Sequence, residues 1–276
     1  MYKFFYKSSL LLKRIIGYEK PLRVALLAYL SLKFKTFKPH YESILYEGCL
    51  EAKKLGINQV SAIELGVAGG AGIISLEKYK KKIEKVLDIN IDIYGFDTGS
   101  GLPKIETDED LPFFWKGGLY KIDKVALEKK INSKIFYGDV KNTVDDFIKI
   151  NKHNICCIFF DLDLYTSTIN FLNQIPKIKD HLLPRVLCYF DDVYNCENYI
   201  NQFNGELKAI DEFNKNFSEF KLGCSVDHFK GFKFPLARTS IYTLHCFKNH
   251  LYKKYIGTNI ESDLSLGSKH MRSIMD

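Results

Sequence analysis

The sequence contains no long hydrophobic run and no paired-cysteine motif. No stretch of about 18 or more apolar residues occurs in the chain, so no membrane-spanning helix is predicted. The seven cysteines include no C-x-x-C pair, which argues against a disulfide framework or a zinc site and favours structural thiols in a reducing compartment. The N-terminus also lacks the apolar core and small-residue cleavage site of an export signal. We therefore expect a soluble, cytoplasmic protein.

Two common nucleotide-binding motifs are also missing. The four glycines between positions 66 and 72 do not fit G-x-G-x-x-G, and no G-K-[ST] is present, which disfavours an NAD enzyme and a P-loop phosphoryl-transfer enzyme. The glycines do fit E-x-G-x-x-x-G, on Glu64, Gly66 and Gly70. A strand before this turn and a helix after it would offer flexible backbone and unpaired N–H groups to a nucleotide-like cofactor. A plain strand-to-helix connection is the alternative.

Positive charge is concentrated at the N-terminus. Residues 1–40 hold nine Lys and Arg against one acid, a net charge of +8, so the rest of the chain carries −1 of the total of +7. Apolar patterns over 1–16 and 22–37 predict a basic helical extension. It would either dock on an anionic membrane surface, peripheral to the inner face of a membrane, or pack as a cap on the main domain, and we favour the cap.

The charge distribution also defines the predicted domains and partners. We expect the basic extension at 1–40, one α/β domain at 41–257 and a polar tail at 258–276. The near-neutral main domain does not favour nucleic-acid binding. Helical extensions often pair subunits, so a homo-oligomer stays open.

Five apolar, strand-like runs alternate with helical patterns, which predicts a doubly wound, Rossmann-like parallel α/β sheet. The runs are Val60–Leu65, Ile91–Phe96, Lys134–Tyr137, Ile155–Phe160 and Val186–Phe190. Two later runs, Glu219–Val226 and Ser240–Phe247, predict a C-terminal antiparallel hairpin.

Polar residues follow the second and third predicted strands. Ligands of open parallel sheets bind outside the carboxyl ends of the strands, and an acid after the second strand can accept hydrogen bonds from a ribose diol. Asp97, followed by Thr98, is placed for that role, and Gly138-Asp139 would lie near an adenine ring. These positions predict a site for an adenosyl group.

Paired aspartates follow the fourth and fifth predicted strands. They are Asp161 and Asp163, and Asp191 and Asp192. Four carboxylates at one sheet edge would repel one another unless a cation lay among them, and oxygen ligands suit Mg²⁺ or Mn²⁺. The alternative is that each acid caps a helix or meets a surface lysine.

A long segment after Asp97, extending to Tyr120, carries no predicted regular structure. It contains three consecutive acids and Trp115, the only tryptophan. Loops of this length in compact domains are usually lids, binding loops or disordered segments, and we predict a substrate lid.

Together these motifs resemble class I S-adenosylmethionine-dependent methyltransferases, and in particular the metal-dependent sugar O-methyltransferases of the macrocin O-methyltransferase (TylF-like) family. The resemblance covers about residues 40–247. It rests on Glu64-x-Gly66, Gly95-Phe96-Asp97 with Gly101-Leu102-Pro103, the D-x-D-L-Y-x-S-T run from Asp161 to Thr168, and Asp191-Asp192. Val193-Tyr194 stands where the family has a single tyrosine after the pair, so the residue after the pair receives no role.

The resemblance implies specific roles. Asp161, Asp191 and Asp192 would bind Mg²⁺, and Asp163 would be the general base. The S-adenosylmethionine site would be lined by Glu64, Gly66, Gly70, Asp97, Thr98, Gly138, Asp139 and Asp161.

We therefore predict an S-adenosylmethionine-dependent, Mg²⁺-assisted O-methyltransferase acting on a hydroxyl of a sugar, glycan or natural-product acceptor. One alternative is a metal-dependent oxygenase of the same fold, which would need a histidine beside the carboxylates; His181 and His228 are the nearest in sequence. Another is a non-catalytic membrane or partner-binding adaptor with a degenerate methyltransferase domain. The motifs do not encode the acceptor.

Overall fold

The computed structural model describes residues 38–193, 199–225 and 240–257. The predicted helical extension at 1–40, apart from its last three residues, and the predicted tail at 258–276 lie outside the described residues. Within the described part of the chain, no helix has the length and apolar character needed to cross a membrane.

A seven-stranded sheet forms the centre of the fold. Its strands are β1 (Gln59–Leu65), β2 (Asn90–Asp97), β3 (Lys134–Tyr137), β4 (Asn154–Phe160), β5 (Leu182–Phe190), β6 (Phe220–Cys224) and β7 (Ile241–Cys246). The spatial order is β3-β2-β1-β4-β5-β7-β6. Strands β1 to β5 run parallel, whereas β7 pairs antiparallel with both β5 and β6. The predicted doubly wound sheet with a C-terminal antiparallel pair is confirmed.

Helices cover the sheet. They are α1 (Pro39–Lys54), α2 (Ala71–Leu87), α3 (Lys124–Glu128), α4 (Val140–Ile150), α5 (Tyr165–Leu172) and α6 (Gly205–Asn216), with short 3-10 helices at Asp108–Asp110 and Ile175–His181. Helix α1 packs so closely on β4 that a Cβ on Gly48 would lie 2.3 Å from Cys157 Sγ. Pro39 occupies the first turn of α1, where its missing N–H costs no hydrogen bond.

Strand β4 lies in the middle of the core. Every residue of Ile155–Phe160 is fully buried, as a central parallel strand covered on both faces should be. Five of the six cysteines of the described residues are buried. These thiols belong to the apolar packing of the fold.

The strand order reverses between β1 and β4, which creates a crevice at the carboxyl ends of these strands. Backbone hydrogen bonds connect the chain at this edge. The Gly66 N–H donates to the Phe96 carbonyl, and the Asp161 N–H donates to the Leu65 carbonyl, each at 2.9 Å. The ends of β1, β2 and β4 are thereby fixed relative to one another.

Candidate active site

The glycine turn between β1 and α2 depends on close backbone approach. Gly66 has a φ of 82°, and a Cβ at this position would lie 1.8 Å from the Asp161 carbonyl oxygen. Gly70, with a φ of 85°, is the N-cap residue of α2. Both positions lie in the left-handed region that favours glycine, so the sequence motif reflects a backbone requirement.

Asp97, at the end of β2, holds this turn in place. Its Oδ2 accepts hydrogen bonds from the Val67 and Ala68 N–H groups at 3.0 Å each, and its Oδ1 accepts one from the Gly99 N–H at 2.6 Å. The Thr98 hydroxyl, next in the chain, donates to the Gly101 carbonyl at 2.7 Å. The predicted ribose-binding acid therefore has a structural role that the sequence did not reveal.

Glu64 lies beneath the turn rather than on its surface. The side chain is 1% exposed, and a Cβ on Gly72 would lie 1.5 Å from its Oε1. Burial raises the pKa of Glu64 to about 8, against the opposing effect of the nearby Lys38 ammonium. Its predicted contact with a cofactor stays a prediction.

Two adjoining cavities occupy the crevice. The first, which we call the acid cavity, has a volume of about 290 Å³ and is lined by Gly66, Asp97, Thr98, Trp115, Tyr120 and the four strand-end aspartates, Asp161, Asp163, Asp191 and Asp192, among others. The second, which we call the Asp139 cavity, has a volume of about 310 Å³ and is lined by residues that include Phe96, Gly138, Asp139, Val140 and Asn170. Asp97, Thr98, Pro103, Leu162 and Ser167 border both cavities. Of the predicted site residues, Glu64 and Gly70 line neither.

The carboxylates of Asp161 and Asp191 accept hydrogen bonds from side chains outside the cluster. The Lys38 ammonium donates to Asp161 Oδ2 at 2.8 Å, and the Tyr189 hydroxyl donates to Asp191 Oδ1 at 2.6 Å. Burial raises the pKa of Asp161 although the charge of Lys38 opposes the shift. Lys38 therefore supplies one positive charge at the edge of the acid cavity.

The other two aspartates contact each other. The Asp163 N–H donates to Asp192 Oδ2 at 3.2 Å, and the Asp192 N–H donates to Oε2 of Glu206, a fully buried residue of α6, at 3.1 Å. Burial, followed by repulsion from Asp161 and Asp191, raises the pKa of Asp163 to about 7. A carboxyl group that titrates near neutral pH is suited to proton transfer.

Solved structures show which proteins share this architecture. The crystal structure of CalS11, a calicheamicin methyltransferase, matches with a TM-score of 0.52 and 22% sequence identity over 79% of this chain and 83% of that chain. This chain has a methyltransferase fold.

Other methyltransferase structures match less closely. The apo structure of CalS11, described there as TDP-rhamnose 3'-O-methyltransferase, gives a TM-score of 0.44 at 19% identity, over 87% of this chain and 93% of that chain. TomG from Streptomyces achromogenes, an O-methyltransferase of tomaymycin synthesis in complex with S-adenosylmethionine, gives 0.34 at 10% identity, over 71% of this chain and 77% of that chain. No protein-family model and no curated protein matches the chain.

The acid cavity of this methyltransferase fold suits a hard divalent cation in chemistry but is not pre-arranged to hold one. Four carboxylates line it, and oxygen ligands are those that Mg²⁺ prefers. Among the described residues, however, no group of three or more His, Cys, Asp or Glu side chains could already hold a metal ion. Binding would require side-chain rotations.

Several residues around the aspartates were not predicted from the sequence. Lys38, in the left-handed conformation just before α1, was assigned to the basic extension. The His40 ring stacks on Tyr189 with ring centroids 4.7 Å apart. Glu206 had the pattern of an ordinary acid in the first turn of a helix. Pro39 marks the start of α1, but nothing in the local sequence shows what these side chains meet.

His40 should make the stability of the protein sensitive to acid. Burial, partly opposed by Asp191 and reinforced by Lys38, lowers its pKa from 6.5 to about 4. Between these values the unfolded chain binds a proton at His40 that the folded protein does not, so the contribution of neutral His40 to stability is fully present above pH 6.5 and is lost as the pH falls toward 4. We expect His40 to account for up to about 3 kcal/mol of this loss.

The substitution His40→Phe tests this prediction because a phenyl ring can keep the stack on Tyr189. The unfolding free energy of wild type and variant should be compared by denaturant titration at several pH values across this range. As the pH falls from 6.5 toward 4, the unfolding free energy of the wild type should decrease relative to that of His40→Phe. A constant difference would mean that His40 does not titrate in this way.

The predicted lid is a closed loop that is anchored to the domain. Leu102 and the Gly118-Leu119 pair form its base, through hydrogen bonds from the Leu102 N–H to the Leu119 carbonyl at 2.7 Å and from the Gly118 N–H to the Leu102 carbonyl at 2.8 Å. Asp110, which is fully buried, accepts hydrogen bonds from the backbone N–H and the hydroxyl of Thr166, in the first turn of α5. The loop is thus attached beside the aspartates that follow β4.

His181, one of the two histidines named for the oxygenase alternative, is not brought to the aspartates. His181 directly precedes β5, at the amino end of that strand, whereas Asp191 and Asp192 follow its carboxyl end. His228 lies outside the described residues. His181 therefore gives no support to a histidine-carboxylate iron site at this edge.

Proposed function

We propose that this chain is an S-adenosylmethionine-dependent O-methyltransferase that methylates a hydroxyl of a sugar, glycan or natural-product acceptor with Mg²⁺ assistance. The observation that carries the proposal is that four strand-end aspartates line the same cavity as the glycine turn. A methyl donor held at the turn would therefore lie beside groups that can bind a cation and accept a proton. The methyltransferase fold supports the same assignment.

The Asp139 cavity supports binding of the adenosyl part of the donor. Phe96, Val140 and Leu162 provide apolar wall for an adenine ring, and Asp139 provides a carboxylate. Asp97 borders both cavities and uses its carboxylate for three backbone hydrogen bonds. A carboxylate has about four lone-pair sites, so Asp97 can still accept a hydrogen bond from a ribose hydroxyl.

We assign Asp163 as the general base that accepts the proton of the acceptor hydroxyl. S-adenosylmethionine supplies, when bound, a methyl group activated on a sulfonium sulfur. With the donor bound, the Asp163 carboxylate would take the proton that the acceptor hydroxyl loses when its oxygen receives the methyl group. The buried, crowded carboxylate is a better base than an exposed aspartate because its pKa is raised to about 7.

Asp161, Asp191 and Asp192 are the residues we assign to Mg²⁺, with Mn²⁺ as an alternative. The ion would supply positive charge that offsets the repulsion among the carboxylates and lowers the pKa of a hydroxyl. Vicinal hydroxyls of a sugar or a catechol would suit such a site. A cytoplasmic location, membrane contact through residues 1–40 and a homo-oligomer stay predictions from the sequence.

Chelation with EDTA tests whether methyl transfer depends on a divalent cation. We expect EDTA to lower methyl transfer at least tenfold and added Mg²⁺ to restore it, because uncompensated carboxylates would oppose ionisation of the acceptor. Asp191→Asn should lower the activity to a similar extent. Asp145→Asn, at an exposed pair with Lys177 away from the cavity, should leave it unchanged. Full activity in EDTA and in Asp191→Asn would contradict metal assistance but would remain consistent with methyltransferase activity.

A further inference from the structure

An aromatic surface extends from the wall of the acid cavity onto the outside of the lid. Trp115 and Tyr120 line the cavity, with ring centroids 6.4 Å apart. Phe114 meets Trp115 edge to face at 4.7 Å, and Tyr199 meets Phe113 edge to face at 5.4 Å. Phe114 and Tyr199 lie 6.4 Å apart and join the two pairs. We call these five residues the aromatic ridge.

The outer part of the aromatic ridge is open to solvent. The Phe113 side chain is 69% exposed and that of Tyr199 is 47% exposed. A contiguous exposed aromatic patch is uncommon on a protein surface and marks a site where something binds. Its continuity with the acid cavity indicates that one ligand can contact both.

Trp115 carries a buried hydrogen-bond donor at the same place. Its indole Nε1 is buried and has no hydrogen-bond partner among the described residues. Buried N–H donors nearly always have a partner, because an unsatisfied donor costs free energy. An oxygen of a ligand in the cavity could supply that partner.

The charges of the acid cavity restrict what kind of acceptor fits. Its lining contains the four strand-end aspartates and Asp97 but no lysine or arginine within the described residues. A nucleotide-linked sugar would place its pyrophosphate close to these five carboxylates, whose negative charge exceeds the positive charge of the proposed Mg²⁺ together with Lys38, which pairs with Asp161 at the edge of the cavity. Phe113 and Phe114 carry no polar group to solvate a charged or hydroxyl-rich segment. A neutral glycoside with an apolar, ring-bearing aglycone matches both properties.

We propose that the aromatic ridge is an aglycone subsite. The sugar that carries the reacting hydroxyl lies in the acid cavity against Trp115 and Tyr120, and an aromatic aglycone packs on Phe113, Phe114 and Tyr199. This inference rests on the proposed function and narrows its substrate to neutral aryl glycosides. Each well-placed aromatic pair should strengthen binding by about two- to tenfold.

The single tryptophan allows binding to be measured without catalysis. Trp115 is the sole source of tryptophan fluorescence in the chain and lies where the two subsites meet. Matched methyl and phenyl glycosides of several common sugars would be titrated in the presence of S-adenosylhomocysteine. The phenyl glycoside of at least one sugar should bind about tenfold more tightly than its methyl partner.

Phe113→Ala should remove most of this difference by weakening the phenyl glycoside alone. Phe247→Ala is the matched control, because Phe247 is 44% exposed and follows β7 rather than the lid. It should bind like the wild type. Thermal unfolding of both variants would show that each is folded.

Three results would overturn the aglycone subsite. The first is that the methyl and phenyl glycosides of every sugar bind with equal affinity, or that no glycoside binds. The second is that Phe113→Ala and Phe247→Ala lose the same affinity for the phenyl glycoside. The third is that nucleotide-linked sugars bind more tightly than phenyl glycosides. Calorimetry with S-adenosylhomocysteine alone separates these results from failure of the proposed function. If the protein did not bind S-adenosylhomocysteine but still preferred phenyl to methyl glycosides, the proposed methyltransferase function would be contradicted while the aglycone subsite would stand.

Discussion

Asp163→Asn should lower kcat by about 10²- to 10⁴-fold while leaving the affinity for S-adenosylhomocysteine unchanged. The substitution removes the group that receives the hydroxyl proton and keeps the size of the side chain. Asp163 has a φ of 62°, in the left-handed region that Asn also tolerates, so the backbone should be preserved. Methyl transfer and calorimetry measure the two quantities separately.

The pH profile provides a second test of the same residue. The acceptor proton can move only to an ionised Asp163, so kcat/KM should rise with pH until it levels off above about 7, where burial and the neighbouring Asp161 and Asp191 place its pKa. A cation among these carboxylates would favour ionisation, so the inflection should move to lower pH as Mg²⁺ is raised. Loss of S-adenosylhomocysteine binding in Asp163→Asn would instead indicate a structural role.

Gly66→Ala should destabilise the protein by about 3–5 kcal/mol, through the left-handed conformation and overpacking against β4. The added Cβ would lie 1.8 Å from the Asp161 carbonyl oxygen, which cannot move without disturbing the junction of β1 and β4. A fall in the thermal midpoint of about 10 °C is expected for a chain of this size.

Gly69→Ala is the control because it adds the same methyl group to the same turn. A Cβ at Gly69 would have no neighbour within 4 Å. Its thermal midpoint should stay close to that of the wild type, so equal losses in the two variants would contradict a contact specific to Gly66. Calorimetry on Gly69→Ala would also show whether open space at the turn is used by S-adenosylhomocysteine.

The strands could be predicted where burial imposes a simple pattern on the sequence. The apolar run Ile155–Phe160 identified β4 because both faces of that strand are covered. Strand β5 begins at Leu182, four residues before the predicted Val186, because the prediction placed the start after Pro184. The pairing of β4 with β5 shifts register at this point, and a proline is tolerated at such an irregularity.

The site could be predicted as far as strand ends could be located. The four aspartates meet because parallel strands end at one edge, and that follows from topology. Their partners follow from packing between distant segments, since Lys38 and Asp161 are 123 residues apart. The local sequence around His40 or Glu206 does not show which side chain lies opposite.

Asp97 shows a further limit of motif-based prediction. Its position after β2 correctly placed it at the crevice, where it borders both cavities. The position could not show that the Val67 and Ala68 N–H groups already use its Oδ2. One carboxylate can hold a turn and border a ligand cavity at the same time.

The pair formed by Lys38 and Asp161 gives the acid cavity a counter-ion that is covalently part of the chain. The proposed divalent cation would share the Asp161 carboxylate with this tethered ammonium, and repulsion between the two positive charges would lower the apparent affinity for the cation. Any contact that pulls Lys38 away would raise that affinity. Binding of the proposed cation would thus depend on where this ammonium lies, and Lys38, just before α1, would set the balance.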